Sequence, residues 1–353
     1  MRVLVVNAGS TGVKLRVVDT RDGTSRTLPG DLPGALDEIG EVDAVGHRIV
    51  HGGLRFDGPV LIDDRIRAEI ADLTPLAPIH QPPALAGIDA ARSALAQVAQ
   101  VASFDTAFHR TLAPDAYLYA LPAHAREALG IRRYGFHGLS VAYAAPRAAE
   151  LLGRPVGALR LVVCHLGGGA SVTAVAAGRS VETSMGYSPM EGLVMATRSG
   201  TVDPAAVIAL ARDGLDPDAL EHMLDRESGL LGLTGTADMR EVLARCDSGD
   251  TAAENALALY AHRLRAAIAA AAACMGGVDG LVFTGGVGER AAPVRARGTE
   301  RLAFMGIAID PDRNASADGS RDLRIDAGRV PVLVVEARED LVIAREAASL
   351  LDG

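Results

Sequence analysis

The feature that most constrains this sequence is a strand–glycine–strand unit that occurs twice. In the second half of the chain, an apolar strand predicted at Leu161–Cys164 leads into the turn Gly167–Gly169 and a second strand at Ser171–Val175. Three successive glycines allow positive φ and close approach to a ligand, and such a turn aims several N–H groups at one anion. For this stretch alone, an ordinary tight β-hairpin is the alternative.

The amino terminus has the same layout. Arg2–Val18 contains an apolar run at Val3–Val6, the polar turn Asn7–Gly12 and a second apolar run. A repeat at such long spacing indicates a duplicated domain. Each copy is followed by a strand with a polar end, Val101–His109 in the first half and Gly280–Glu289 in the second. We therefore expect two α/β domains with a cleft lined by glycine turns and strand ends, where open sheets bind ligands.

Composition narrows the function classes. A length of 353 residues suggests two domains, and 35 basic against 44 acidic residues give a net charge of −9, which argues against nucleic acid as a partner. Cys164, Cys246 and Cys274 show no metal or redox spacing, and their odd number is typical of a reducing compartment. The apolar run at Val3–Val6 is too short for a signal peptide, and Ala266–Met275 is about half a membrane span. We expect a cytoplasmic protein that does not enter membranes.

Hydrophobic periodicity, together with the residues that begin and end helices and strands, predicts the remaining elements. Further strands are expected at Val42–His51, Arg179–Thr183 and Val330–Val335. Helices are expected at Arg65–Leu73, Ala84–Ala99, Val141–Leu152, after the cap Asp203, at Glu254–Met275 and at Asp340–Leu351. Turns and loops are expected at Thr20–Glu41, with one short helix, and at Ala77–Pro83, Tyr134–Ser140 and Ser184–Gly200.

Two arginines and two acids are candidates for ligand binding. Arg48 lies in GHRIVHGG and Arg198 in MATRSGTVD, and a guanidinium among small residues suits bidentate binding of planar anions. A structural ion pair is the alternative for each arginine. Asp105 ends a strand and Glu339 precedes the last helix, so both are candidate Mg²⁺ ligands in a phosphate site. A helix cap or a surface acid is the alternative for these two.

Other motifs carry weaker signals. The histidines near these segments are His47, His51, His80, His109, His137 and His165. They lack metal-ligand spacing, so hydrogen-bonded structural roles are expected for most, while His137 is the one expected to face a ligand. The place of Lys14 in a strand is typical of an exposed residue. Gly285–Gly288 follows a strand without dinucleotide-fingerprint spacing, and no nucleophile elbow or Walker lysine loop is present, which disfavours dehydrogenases and hydrolases.

Taken together, the motifs resemble those of the acetate kinase family, within the sugar kinase, actin and Hsp70-like ATPase superfamily. The matching stretches run in the family's order from Asn7 to Glu346: NAGSTGVK, VGHRIVHGG, APIHQPP, FDTAFH, YGFHG, CHLGGGAS, ETSMGYSPMEGL, TRSGTVDP, FTGGVGER and EDLVIARE. The resemblance implies two ribonuclease-H-like domains, 1–106 with 340–353 and 107–339, the second binding nucleotide. It also implies a homodimer and the reaction ATP + acetate ⇌ ADP + acetyl phosphate, with Mg²⁺ or Mn²⁺ and direct in-line transfer.

The resemblance further implies roles for matching residues. Groups around the transferring phosphoryl would be Asn7, Arg48, Asp105, His137, Arg198 and Glu339. The arginines would bind the carboxylate and the phosphoryl group, the histidine would stabilise its equatorial oxygens, and the acids with the asparagine would organise Mg²⁺ and the phosphates. A small pocket for the substrate methyl would comprise Val50, Ile79, His80, Phe136 and Pro189. Nucleotide and phosphate contacts would include Lys14, His165, Gly167, Gly168, Gly169, Asp238, Gly285, Gly286, Val287 and Gly288.

Four positions depart from the family pattern. Gly12 and Gly168 replace a serine and an asparagine on the phosphate side, and Val141 replaces a histidine. Arg290 replaces an asparagine beside the adenosine pocket, where it either contacts nucleotide or pairs with an acid in solvent. The region before Val42 is also shorter. The lost polar groups predict a raised KM for ATP with the reaction type retained.

Two other functions stay open at this point. One is a kinase for propionate or another short-chain acid with the same fold. The other is a regulatory protein that binds nucleotide and has weakened catalysis. Retention of Arg48, Asp105, Arg198 and Glu339 together argues against the regulatory protein.

Overall fold

The structure, a computed structural model, describes residues 1–9, 12–30 and 32–352. Ser10 and Thr11, which belong to the predicted turn Asn7–Gly12, lie outside the described residues. The strands are β1 Arg2–Gly9, β2 Gly12–Asp19, β3 Ser25–Leu28, β4 Ala44–Ile49, β5 Val60–Leu61, β6 Ala99–Phe104, β7 Arg160–Leu166, β8 Ala170–Ala176, β9 Arg179–Thr183, β10 Gly280–Thr284, β11 Leu323–Arg324 and β12 Val332–Val334.

The α-helices include short ones at loop ends. They are α1 Leu32–Ile39, α2 Asp64–Ala71, α3 Gln81–Ala94, α4 Pro114–Tyr117, α5 Ala123–Leu129, α6 Gly138–Leu152, α7 Pro204–Arg212, α8 Pro217–His222, α9 Gly229–Thr234, α10 Met239–Asp247, α11 Thr251–Cys274, α12 Gly285–Arg290, α13 Ala292–Thr299, α14 Pro311–Ser316 and α15 Glu339–Asp352. Among the described residues, no helix combines the length and apolar character needed to cross a membrane.

The chain forms two compact units. The first comprises Met1–Arg110, Phe136–Tyr143 and Arg338–Gly353, and the second comprises Thr111–Gly135 and Ala144–Ala337. Each contains one mixed sheet with helices packed on it, which confirms the predicted α/β class. The domain boundaries that the resemblance places after residues 106 and 339 stay predictions.

The two sheets share one topology, which confirms the duplication. The first has the strand order β3-β2-β1-β4-β6-β5, and the second, traced in the same sense, has the order β9-β8-β7-β10-β12-β11. In each sheet, three consecutive strands form an antiparallel meander, β1–β3 in the first and β7–β9 in the second. The first strand of each meander also belongs to a set of three parallel strands, which is β1, β4 and β6 in the first sheet and β7, β10 and β12 in the second. The carboxyl ends of the parallel strands therefore meet at one edge of each sheet.

Alternation along β1 explains how the first sheet is covered on both faces. Val3 and Val5 point to one side and pack with Ile343 of α15. Leu4 and Val6 point to the other side, into the core that α1 and α3 share with the sheet. Helix α15 thus belongs to the first unit although it lies at the end of the sequence.

Several element predictions need correction. The loop predicted at Ala77–Pro83 is wrong in its second half, because α3 begins at Gln81 with prolines in its first turn, where their missing N–H groups cost nothing. Helix α6 begins at Gly138, three residues before the predicted start. The segment Thr20–Glu41 contains the strand β3 besides its helix. By contrast, β9 has the predicted bounds Arg179–Thr183.

Burial of His47 makes the stability of the first unit depend on pH. This side chain of β4 is 1% exposed, and its Nε2 lies 2.7 Å from Gln100 Oε1. Burial lowers the pKa of His47 to about 4 from its ordinary 6.5, and burial acts in the same direction on His51 and His109. Below pH 6.5 the His47 side chain binds a proton in the unfolded chain but stays neutral in the native chain. The stabilisation is complete above that pH and is lost as the pH falls toward 4.

We therefore predict that the free energy of unfolding falls between pH 6.5 and 4.5 less steeply in His47→Gln than in the wild type. The difference in slope should be about 1.4 kcal/mol per pH unit, which corresponds to one proton. Urea unfolding at a series of pH values measures it. A His47→Gln slope equal to that of the wild type would contradict the prediction.

Candidate functional site

Four polar side chains converge at the carboxyl-end edge of the first sheet. Arg48 Nε and Nη2 donate to the two carboxylate oxygens of Asp105, at 3.2 and 2.5 Å. Arg48 Nη1 donates to Asn7 Oδ1 at 3.2 Å, and Glu339 Oε2 lies 3.7 Å from Arg48 Nε. We call these four residues the Arg48 cluster. The arginine thus makes the ion pair that its structural alternative predicted, within a group of oxygen donors.

Strand topology explains why residues so far apart in sequence meet. Asn7 and Arg48 lie near the carboxyl ends of the neighbouring parallel strands β1 and β4, and Asp105 follows directly after β6. Glu339 is the first residue of α15, which packs on the same sheet. Each side chain therefore reaches the cluster from the end of a different element, and the separation between Arg48 and Asp105 is 57 residues.

The electrostatics of the Arg48 cluster favour a bound cation or a ligand that brings one. Asp105 is 1% exposed. Burial disfavours the charge on Arg48, but the carboxylates of Asp105 and Glu339 outweigh burial and raise the pKa of the guanidinium. One positive and two negative groups leave a net charge of −1. The cluster therefore places oxygen atoms that can bind a cation beside an arginine, with one negative charge in excess.

His137 is held beside Asp105 by an unusual backbone. Its φ is +58°, a left-handed conformation that is uncommon for residues other than glycine and that concentrates at functional sites. The next residue, Gly138, donates its N–H to the Asp105 carbonyl at 2.9 Å. A Cβ at position 138 would lie 2.1 Å from that carbonyl oxygen, so only glycine permits the approach. The half-buried His137 is thereby fixed next to the cluster.

Most of the predicted methyl-pocket residues of the first unit lie near one another. Phe136 is 1% exposed and packs edge-to-face on His51, with ring centroids 5.5 Å apart. Val50, the neighbour of His51, is also buried. The half-buried pair Ile79–His80 directly precedes α3, whose first residue Gln81 donates to the His51 carbonyl at 3.1 Å. The structure therefore brings these segments together around His51.

In the second unit, Arg198 has a partner that the sequence did not reveal. Its Nε donates to Asp225 Oδ1 at 2.7 Å, and its Nη1 donates to the Pro189 carbonyl at 3.5 Å. Asp225 is 4% exposed and also pairs with Arg226 at 2.8 Å. It lies in the π-helical turn Met223–Glu227, a rare conformation that is frequent at functional sites. No local pattern marks Asp225, because its partner lies 27 residues away.

The glycine turn is tied to the loop that carries Arg198. Gly167 N–H donates to the Gly169 carbonyl at 2.8 Å, and Ala196 N–H donates to the Gly168 carbonyl at 3.1 Å. A Cβ at Gly168 would meet nothing within 4 Å among the described residues, so a side chain fits there. The half-buried His165 precedes the turn at the end of β7.

The glycines after β10 lie at the start of α12, where some are needed for packing and one is exposed. Gly285 has φ +77°, and a Cβ there would lie 2.7 Å from the Leu166 carbonyl oxygen, so this glycine is required by packing of α12 on β7. A Cβ at Gly288 would lie 3.6 Å from Leu166 Cβ, which is ordinary contact distance. Gly286 is exposed, and Val287 is half-buried. Only the Gly286–Val287 portion therefore offers free surface to a ligand.

Three other candidates have clear local surroundings. Asp238 caps α10 by accepting from Arg240 N–H at 2.9 Å, and it also pairs with the Arg240 guanidinium. Lys14 is exposed and lies directly opposite Asn7 in the β1–β2 ladder, so the two side chains share one face. Arg290 is 65% exposed and lies 3.8 Å from Oε2 of the buried Glu289, and whether it contacts nucleotide stays a prediction.

The donor types of the Arg48 cluster suit Mg²⁺. Within the described ranges, no group of three or more His, Cys, Asp or Glu side chains is arranged to hold a metal ion. Mg²⁺ does not need such a group, because it usually keeps several waters and takes one or two carboxylates together with substrate phosphates. Asp105, Glu339 and Asn7 supply hard oxygen donors of this kind.

Comparison with known proteins gives consistent matches. The model of the acetokinase family matches residues 31–345. An acetate kinase of Leifsonia xyli subsp. xyli is 52% identical over 87% of this chain and 78% of its own length. The crystal structure of Porphyromonas gingivalis acetate kinase is similar with a TM-score of 0.88 and 35% identity, over 99% of both chains. A propionate kinase from Francisella tularensis subsp. tularensis has a TM-score of 0.92 and 33% identity, again over 99% of both chains.

Proposed function

The chain belongs to the acetokinase family, as its motifs indicated, and we propose that it is an acetate kinase that transfers a phosphoryl group reversibly between ATP and acetate. The single observation that carries the proposal is the Arg48 cluster, in which Asn7, Asp105 and Glu339 surround a charged guanidinium. Phosphoryl transfer consists mostly of positioning and charge stabilisation, which such a cluster supplies without a covalent intermediate on the protein.

The proposed reaction gives the two arginines and His137 separate roles. Arg48 and Arg198 bind the carboxylate of the acid and the phosphoryl group in transfer, and their planar forks suit both anions. Each guanidinium is oriented by a buried acid, Asp105 or Asp225, so little reorganisation is needed when the ligands bind. His137, fixed in its left-handed conformation, donates to the equatorial oxygens of the phosphoryl group.

The proposal includes a bound Mg²⁺ ion, or Mn²⁺ in its place. Asn7, Asp105 and Glu339 would hold it, and the bound ion would neutralise charge on the phosphates. The protein's own residues hold the acid, orient the phosphoryl group and keep Arg48 protonated beside its two carboxylates.

The acid is selected by its alkyl group. The residues expected from the resemblance to contact the methyl group are the buried Val50 and Phe136 and the half-buried Ile79 and Pro189, all of them apolar. A kinase for propionate is the second candidate, since one similar structure is a propionate kinase. The exposed Gly286 beside Val287 would receive the adenosine. Homodimer formation and a cytoplasmic location stay predictions that rest on the resemblance.

A coupled turnover assay with ATP and acetate, propionate or butyrate tests the function. We expect the highest kcat/KM for acetate, because each added methylene in a rigid pocket costs about 1–3 kcal/mol. A preference for propionate would support the second candidate. Binding of ADP without turnover of any acid would support the regulatory protein instead.

Substitution of the two arginines tests their assigned roles. Arg48→Ala and Arg198→Ala should each lower kcat by about 10²–10³, the usual loss for one preorganised donor of charge. Arg48→Lys and Arg198→Lys should restore turnover only in part, because they keep the charge beside Asp105 and Asp225 but lose the planar fork. Thermal unfolding identifies losses that come from folding.

The control for these variants is Arg297→Ala, which removes a half-exposed arginine paired with Glu254 and should leave kcat within about twofold of the wild type. Wild-type turnover in both alanine variants of Arg48 and Arg198 would reject the assigned roles.

Gly168→Asn tests the phosphate side of the nucleotide. The position has room for a side chain, and one hydrogen bond to a charged group contributes roughly 1.5–3 kcal/mol, partly replaceable by water. ADP binding should tighten by up to about tenfold in calorimetric titration. The control Gly157→Asn also places a side chain in open space and should leave ADP binding unchanged. Tight binding of pyrophosphate without binding of ADP would overturn ATP as the donor.

A further inference from the structure

The second unit contains a polar cluster that the roles above do not use. The Tyr119 hydroxyl donates to Glu191 Oε2, and Arg133 Nη2 donates to Glu191 Oε1 at 3.0 Å. Both carboxylate oxygens of Glu191 are therefore engaged. Arg133 Nε also lies 3.7 Å from Glu182. We call Tyr119, Arg133 and Glu191 the Glu191 cluster.

This cluster is half-buried. The side chains of Arg133 and Glu191 are 17% and 31% exposed. Burial, assisted by the hydrogen bond to the Glu191 carboxylate, raises the pKa of Tyr119, so its hydroxyl stays a donor. Hydrogen bonds to charged groups are about twice as strong as those between neutral groups. The cluster therefore holds its parts in one arrangement.

The Glu191 cluster fixes the backbone of the loop that follows β9. Arg133 Nη1 donates to three consecutive carbonyls, those of residues 183, 184 and 185, at 3.1–3.3 Å. Tyr187 N–H donates to the Tyr119 hydroxyl at 3.0 Å. A Cβ at Gly186 would lie 1.7 Å from Glu191 Oε2 and 2.1 Å from the Tyr119 hydroxyl, so a side chain at this position would displace the ends of both cluster side chains.

The held loop carries Pro189, one of the residues assigned to the methyl pocket. The Pro189 carbonyl accepts from Arg198 Nη1 at 3.5 Å. The loop also closes on itself, because a Cβ at Gly192, where φ is +108°, would lie 2.6 Å from the Ser184 carbonyl oxygen. Both ends of the loop are thus fixed, and the Glu191 cluster determines where Pro189 lies and which carbonyl faces Arg198.

We infer that Tyr119, Arg133 and Glu191 are positioning residues that determine specificity for the acid, by setting the place of Pro189 and the orientation of Arg198. The inference rests on the proposed function. Loosening the cluster should weaken binding of acetate and relax discrimination against longer acids. Nucleotide binding should change little, because Gly286–Val287 lies outside the loop and the Gly168 carbonyl is bonded to it at Ala196, beyond the segment that the cluster holds.

The experiment compares Tyr119→Phe with Tyr117→Phe. The first variant removes only the hydroxyl bonded to Glu191, and the second removes a hydroxyl on a ring that stacks on Arg132 at 3.8 Å. For Tyr119→Phe we expect the KM for acetate to rise about three- to tenfold and the acetate-to-butyrate ratio of kcat/KM to fall by a similar factor. The KM for ATP should stay within about twofold. Tyr117→Phe should match the wild type, and Glu191→Gln should behave as Tyr119→Phe does.

The outcomes separate the inference from the function on which it rests. Wild-type values in both Tyr119→Phe and Glu191→Gln would overturn the inference alone. A rise in both KM values together with a lower Tm would also overturn it, because that pattern is a general loss of structure. A wild-type chain that phosphorylates none of the acids would reject the proposed function and the inference with it.

Discussion

Because the Asp105 carboxylate has almost no contact with water, its charge must be balanced within the first unit. The fork of Arg48 does this with two hydrogen bonds. Removing one partner of a buried pair typically costs about 3–5 kcal/mol, since the other charge stays buried and unpaired. Replacing a buried ion pair with apolar residues of similar volume is often neutral or stabilising, so this pair is better explained by what it holds than by its stability. It holds a guanidinium in a fixed orientation beside Asn7 and Glu339.

The same strand order places different chemistry at the edge of each sheet. Near the carboxyl ends of β1, β4 and β6, the polar Asn7 and the charged Arg48 and Asp105 project from the sheet. At the corresponding ends of β7 and β10, the chain offers backbone, in Gly167–Gly169 and in the exposed Gly286 of α12. One topology therefore supplies fixed charges in one unit and close backbone approach in the other, which are the two requirements of phosphate chemistry.

The sequence predicted the parts of the fold that depend on local pattern. The duplicated hairpin, the strand Arg179–Thr183 and the Asp203 cap of α7 follow from periodicity and turn residues, and the structure confirms them. The start of α6 at Gly138 was missed because it depends on the distant Asp105 carbonyl. Asp225 was missed for the same reason, since only its contact with Arg198 marks it. Contacts between distant segments leave no trace in spacing, and most of the candidate site is built from them.

The two glycines that stand, by the resemblance, where the family has polar residues differ physically. Gly12 has φ +121°, a backbone that a serine adopts only with strain. Gly168 has open space where a side chain would lie and does not have a positive φ, so an asparagine would fit this turn without strain. Its carbonyl still accepts from Ala196, which keeps the turn attached to the loop of Arg198. A donor introduced at position 168 would therefore be presented by a turn that is already attached to that loop.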